Sequence, residues 1–225
     1  MCIPFVSAIG GTAAVILIPI IPRIALVTSV AAGITLRNHN NATPRPLTPG
    51  EVTMITSIFQ SSIKTTSVKI RNGPILPGQD PNTAVTPWGE PYFPKGRFCD
   101  DFSIEPIHAQ HWLMHEMAHV WQYELGMSVA IRGTISEFVD YDYQLTKNKV
   151  LSDYGMEQQA SIIADYWCLK THGYKHWYAL TREKNMTNIN NNEKIKDKRS
   201  YWLDQYENTL KLFLQNPEDK KALFR

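Results

Sequence analysis

One five-residue pattern constrains this chain more than any other feature: His115-Glu116-Met117-Ala118-His119. Side chains four residues apart stack on one face of a helix, so His115 and His119 are spaced to grip one tetrahedral ion, and imidazole ligands suit zinc. Glu116 is turned by about 100° around such a helix, so it misses the metal yet reaches a water held beside it. The motif demands a helix, and one is expected independently. Pro106 precedes the segment, apolar residues flank the histidines and Gly126 follows, which predicts a helix from Ile107 to about Leu125. His108 and His111 extend the stripe upstream. A catalytic zinc takes three protein ligands and keeps one position open, so these two read as bystanders. The plain alternative is a structural helix carrying two surface histidines.

The third ligand sets the subclass. An extended H-E-x-x-H-x-x-G-x-x-H site is excluded, because Gln122 and Leu125 occupy the glycine and final histidine positions. A carboxylate from a second helix is the other common solution. A helix is predicted from about Met156 to Thr171, stopped by Gly173, and Glu157 opens it. Ala160, Ser161 and Ala164 on and beside its face are small enough to let the two helices approach closely. Glu157 is therefore the first choice. Glu137 is the main competitor, in a Gly133-Thr134 context that resembles the aspzincin signature except for Glu in place of Asp. Asp153 and Asp165 are further options, and Asp165 better suits orienting a ligand histidine. For an oxyanion donor, Tyr154, Tyr166, His172, Tyr174 and His176 all stay open.

The rest of the chain frames this site. At 225 residues, 43% hydrophobic and 20% charged, it reads as one sizeable globular domain with extensions, and a net charge of +2 implies no nucleic-acid partner. The expected fold class is α+β, mainly helical: a zincin-like domain with a small antiparallel sheet packed on the metal helix. Residues 1–37 form an apolar segment, 38–50 a polar, proline-rich linker and 51–225 the catalytic domain. The apolar segment has three readings: a membrane contact through residues 3–36, an unusual export signal, or an element that packs on the domain or on a partner. If the linker reading holds, residues 1–46 can be removed without loss of cutting.

Thr48 and Glu51 form a capping-box pattern at the start of a helix, and Ser67–Ile70 alternates like a strand. Residues 72–96 read as an ordered functional loop holding a short edge strand or hairpin over Thr86–Phe93. Asn185–Asn192 reads as a polar loop, and a last helix from about Ile195 to Gln215 carries Tyr201, Trp202, Tyr206, Leu210 and Phe213 on one side. Cys2, Cys99 and Cys168 read as inert thiols, with a Cys99–Cys168 bridge as the alternative in an oxidising compartment.

The run from His115 to Gln122, followed by Glu157-Gln158-Gln159-Ala160 and on to Tyr166, resembles the zinc metallopeptidase domains attached to type VI secretion spike (VgrG) and Rhs proteins. Thr86-Pro87-Trp88-Gly89 before Tyr92-Phe93, and Asp101-Phe102-Ser103, fit the same family, so the resemblance spans about Thr53 to Gly173. It implies zinc held by His115, His119 and Glu157, with Glu116 as catalytic base and a peptide or protein as substrate. It also implies delivery to a bacterial periplasm, with secretion machinery or an immunity protein as partners. The chain departs from the family in lacking a spike domain and in its apolar N-terminus. Competing functions are a zinc-stabilised interaction module, a membrane-anchored accessory protein and a hydrolase of peptidoglycan peptides.

Overall fold

A computed structural model of the protein describes residues 33–76, 78–129, 141–181 and 197–224. In chain order it has strand β1 (Thr43–Pro46), helix α1 (Pro49–Phe59), strands β2 (Lys69–Asn72) and β3 (Tyr92–Phe93), then helices α2 (Ile107–Glu124), α3 (Met156–His172), α4 (Tyr174–Thr181) and α5 (Lys198–Gln215). The described chain is mainly helical with one small sheet, as expected. The sheet is not purely antiparallel, however. β1 pairs antiparallel with β2, whereas β2 and β3 run parallel with Arg71 opposite Tyr92. The long connection between β2 and β3 supplies the crossover that a parallel pair needs.

Helices α2 and α3 form the centre. Their polar contacts run in reverse order, from His111–Asp165 near the start of α2 to Gln122–Met156 near its end, so the helices are antiparallel. Ala160, Ser161 and Ala164 are fully buried between elements, as the small-residue reading requires. Helix α2 ends where Gly126 takes φ +99°. Met127 N donates to Gln122 O and Gly126 N to Tyr123 O, both at 2.9 Å, which satisfies two of the terminal carbonyls. Trp121, Trp167, Trp177 and Phe213 fill the core around this pair. In α5, Tyr206, Leu210 and Phe213 are buried but Tyr201 is exposed, so the stripe is narrower than expected. Helix α4 was not anticipated; Trp177 anchors it in the core.

The capping box holds: Glu51 N donates to Thr48 Oγ1 at 3.1 Å and Thr48 N to Glu51 Oε2 at 2.9 Å. Glu51 does more than cap. It is wholly buried, accepts from the two terminal guanidinium nitrogens of Arg45 at 2.7 and 2.8 Å, and accepts from Phe102 N at 2.8 Å. Arg45 also donates to Cys99 O at 2.8 Å.

The stretch 38–50, expected to be a linker, thus carries β1 and the arginine that neutralises a core carboxylate. Upstream, residues 33–41 are helical. Asn38 Nδ2 donates to Ile75 O at 3.2 Å, and Ala42 is buried against Ile75 and Tyr92. The folded unit therefore begins before Leu47, and removing residues 1–46 would strip a strand from the sheet. Among the described residues, no helix is long and apolar enough to cross a membrane. Residues 1–32, Glu137 and the 185–192 loop lie outside the described residues. Cys99 and Cys168 are both free thiols, Cys168 buried, with no bridge between them.

Candidate metal centre

Helix α2 brings His115 and His119 to one side, and the first turn of α3 brings Glu157 against them. His115 Nε2 and His119 Nε2 are 3.2 Å apart, and Glu157 Oε2 lies 3.1 and 3.0 Å from them. A tetrahedral zinc with bonds of about 2.0–2.1 Å separates its ligand atoms by about 3.3 Å, so this triangle has the size of one tetrahedral face. Among the described residues these three are the group that could hold a metal ion.

The tautomer of His119 is set by its neighbours. Gln122 Nε2 donates to both Met156 O and Gln159 Oε1 at 2.9 Å, which turns Gln122 Oε1 toward His119 Nδ1 at 2.8 Å. A carbonyl oxygen only accepts, so Nδ1 carries a proton and Nε2 is left to face the carboxylate, the arrangement a metal-ligating imidazole needs. Gln159 is pinned in turn through Tyr154 O at 3.0 Å.

Without a metal, a proton takes the central place. Burial opposes charge on His119, but the charge and hydrogen bond of Glu157, helped by Glu116, outweigh it and push the imidazole up to about 9. Burial holds His115 below its ordinary value despite the same carboxylate. Burial would raise Glu157, yet the charge of His119 and hydrogen bonds from both imidazoles hold it well below the usual carboxylate range. The donor set thus fits zinc chemically: two nitrogens and one oxygen, one of them protonated until a cation replaces the proton.

Glu116 lies outside the triangle, only 3% exposed. Thr86, also buried, donates to its Oε2 at 2.7 Å. Thr86 belongs to the proline-rich loop, which a bridge from Val85 to Tyr92 ties to β3. Two residues on, Trp88 is 47% exposed at the rim of the site. The turn beyond it needs glycine, because Gly89 has φ +74° and a Cβ there would sit 2.5 Å from the Tyr123 ring.

The remaining candidates separate cleanly. Asp165 pairs with His111 at 2.6 Å rather than with a ligand histidine, and Tyr143 Oη donates to its other oxygen at 2.6 Å. Asp153 accepts Val150 N at 2.9 Å in a short helical turn. Tyr154 donates to Gln144 O and Tyr166 to Glu207, while His176 faces His172 O. None of the five aromatic candidates for an oxyanion donor lines the cavity over the triangle. Tyr141 does, its ring 6.2 Å from that of His115. Burial, then the charges of Glu157 and Glu116, push its hydroxyl up to about 12, so it stays protonated. Gln122, Thr86 and Tyr141 were not read as site residues from the sequence.

The described fold is a mainly helical domain with a possible metal cluster, and comparison with known proteins finds it similar to an effector domain of the type VI secretion system. Over 171 residues, 73% of the chain, it is 32% identical to the type VI secretion system spike protein VgrG2b of Pseudomonas aeruginosa. It spans only 16% of that relative's length. A solved structure, the effector domain of Pseudomonas aeruginosa VgrG2b, superposes with a TM-score of 0.54 at 27% identity, covering 68% of this chain and 94% of that one. No model of a known protein family matches the sequence. The resemblance read from the two motifs therefore holds as homology to the effector part of a spike protein.

Proposed function

We propose that this protein is a zinc-dependent endopeptidase of the HExxH-plus-glutamate, zincin-like type, acting as a secretion-system effector. The observation that carries the reading is the Nε2–Nε2–Oε2 triangle with sides of 3.0–3.2 Å beside a buried, tethered glutamate. His115, His119 and Glu157 would hold the ion. The chemistry that bound zinc supplies is Lewis acidity, which brings the deprotonation of water into the neutral range.

The chain's own groups do the rest. Thr86 occupies Glu116 Oε2, which leaves Oε1 to take a proton from water and later deliver it to the departing amine. Tyr141, protonated and over the site, donates a hydrogen bond to the oxyanion of the tetrahedral intermediate. Gln122 keeps the His119 imidazole from rotating.

Two further features favour an enzyme over a zinc-stabilised module. A structural zinc is closed by four protein ligands, and among the described residues the cluster offers three. His111, the nearest spare histidine in sequence, is engaged by Asp165. Homology to an effector domain of a spike protein supports action outside the producing cell, with the periplasm of a target bacterium as the place of action. The test is a proteomic cleavage screen of zinc-loaded wild type against Glu116→Gln. New peptide termini with wild type alone support the reading; identical termini from both proteins refute it.

A further inference from the structure

The cavity over the metal triangle has a volume of about 930 Å³. Its floor carries Glu116 and Glu157, and its walls are mostly apolar, through Leu36, Val85, Trp88, Trp112, Val129 and Met156, with polar edges such as Asn82 and Thr83. Two of the walls are exposed to a degree unusual for their size, Leu36 at 62% and Trp88 at 47%. Tyr141, at 44%, lies at the same mouth. Large apolar side chains left open around one concave site mark a surface that covers itself with a ligand.

Resting on the peptidase reading, we infer that the cleft takes polypeptide with a bulky apolar side chain next to the scissile bond, and not the stem peptide of peptidoglycan. Side-chain size decides between them. A stem peptide brings small alanine methyls and otherwise polar side chains. Alanine methyls leave most of that apolar wall in contact with water. A leucine or phenylalanine side chain replaces water against Trp88, Trp112 and Met156 instead.

The N-terminal helix contributes to this selection. Leu36 and Thr35 line the cavity from residues 33–41, which the sheet holds through Asn38 and through His39 Nδ1, 2.6 Å from Tyr92 Oη. Residues 33–41 are therefore a wall of the substrate site.

Affinity measured without turnover tests this directly. Zinc-loaded full-length Glu116→Gln protein is titrated in a calorimeter with three unlabelled heptapeptides that differ only at the centre, Leu, Ala or Asp, and with a free peptidoglycan stem pentapeptide. The Leu peptide binds at least about tenfold tighter than the Ala peptide, as burial of three carbons requires, and the Asp and stem peptides bind weakest. Adding Trp88→Ala removes at least about threefold of the Leu preference. Equal affinities, no binding by any peptide, tightest binding by the stem peptide, or a preference untouched by Trp88→Ala overturns the inference. Turnover of the Leu peptide by wild type is scored separately. Selective binding with no cleavage refutes the peptidase reading and leaves the selectivity standing.

Discussion

Replacing Thr86 with valine removes one hydroxyl and little volume. Thr86 Oγ1 holds Glu116 Oε2 at 2.7 Å, and both residues are 3% exposed. A hydrogen bond to a charged group is worth about 1.5–3 kcal/mol. If Glu116 must be held in place for proton transfer, the barrier rises by that amount, and kcat falls about 10- to 100-fold. KM should change by no more than about twofold, because the lost contact is to the base and not to substrate. Metal content should not change, since Glu116 lies outside the triangle. Thr86→Ser restores the donor and most of the rate. The assay is steady-state cleavage of a quenched fluorescent peptide with a central leucine, with zinc content and melting temperature measured on the same samples. A Thr86→Val enzyme with wild-type kcat, or one whose loss appears wholly in KM, refutes the assignment of Thr86 as the residue that positions the base.

Gln122→Leu frees His119 to rotate and should weaken zinc binding by about 10- to 100-fold, read by chelator competition; unchanged affinity refutes the tautomer argument. The pH dependence of zinc binding follows from His119, raised from 6.5 to about 9, because zinc must displace its proton. Affinity therefore rises with pH up to about 9, by at most about tenfold per unit. In the metal-free protein His119 contributes stability fully below about pH 6.5, lost as pH climbs through about 9. Glu157, depressed from 4.5, contributes above that value and loses its share as pH falls further. The metal-free protein should then melt higher at pH 6 than at pH 9, a difference that Glu157→Gln abolishes; a flat zinc affinity between pH 6 and 9 counts against the coupling. Arg45→Ala leaves the wholly buried Glu51 carboxylate without its cation and should cost about 3–5 kcal/mol in urea unfolding. Removing residues 1–46 should be at least as damaging, and an unfolding midpoint unmoved by Arg45→Ala would show that the charge is compensated elsewhere.

The parts of the molecule legible in the sequence are those whose signals are local. Pro106, Gly126 and Gly173 bound the two central helices within a residue or two of their observed ends. Thr48 and Glu51 cap α1 by contacts three residues apart. The meeting of His115, His119 and Glu157 was legible because the small residues of α3 permit the approach of two helices that were both foreseen. What escaped depends on distant partners. β1 is a four-residue segment with two prolines, and only its pairing to Lys69–Asn72 makes it a strand. Arg45 looks like a linker arginine until Glu51 and Cys99 are placed around it. Thr86 reaches Glu116 from a proline-rich loop across thirty positions of sequence. Asp165 was read toward a ligand histidine, but the antiparallel packing sets it against His111, one turn too early. Gln122 left a usable trace: a polar residue three after His119, on the helix face that carries His115 and His119.

Zinc stoichiometry, measured by elemental analysis after reloading and desalting, probes the centre most directly. Wild type and Glu116→Gln should each retain one zinc per chain, while His119→Ala and Glu157→Ala, still folded by circular dichroism, should retain almost none. A wild-type protein that takes up no transition metal, or a Glu157→Ala protein that keeps a full equivalent, would contradict a metal held by two imidazoles and that carboxylate.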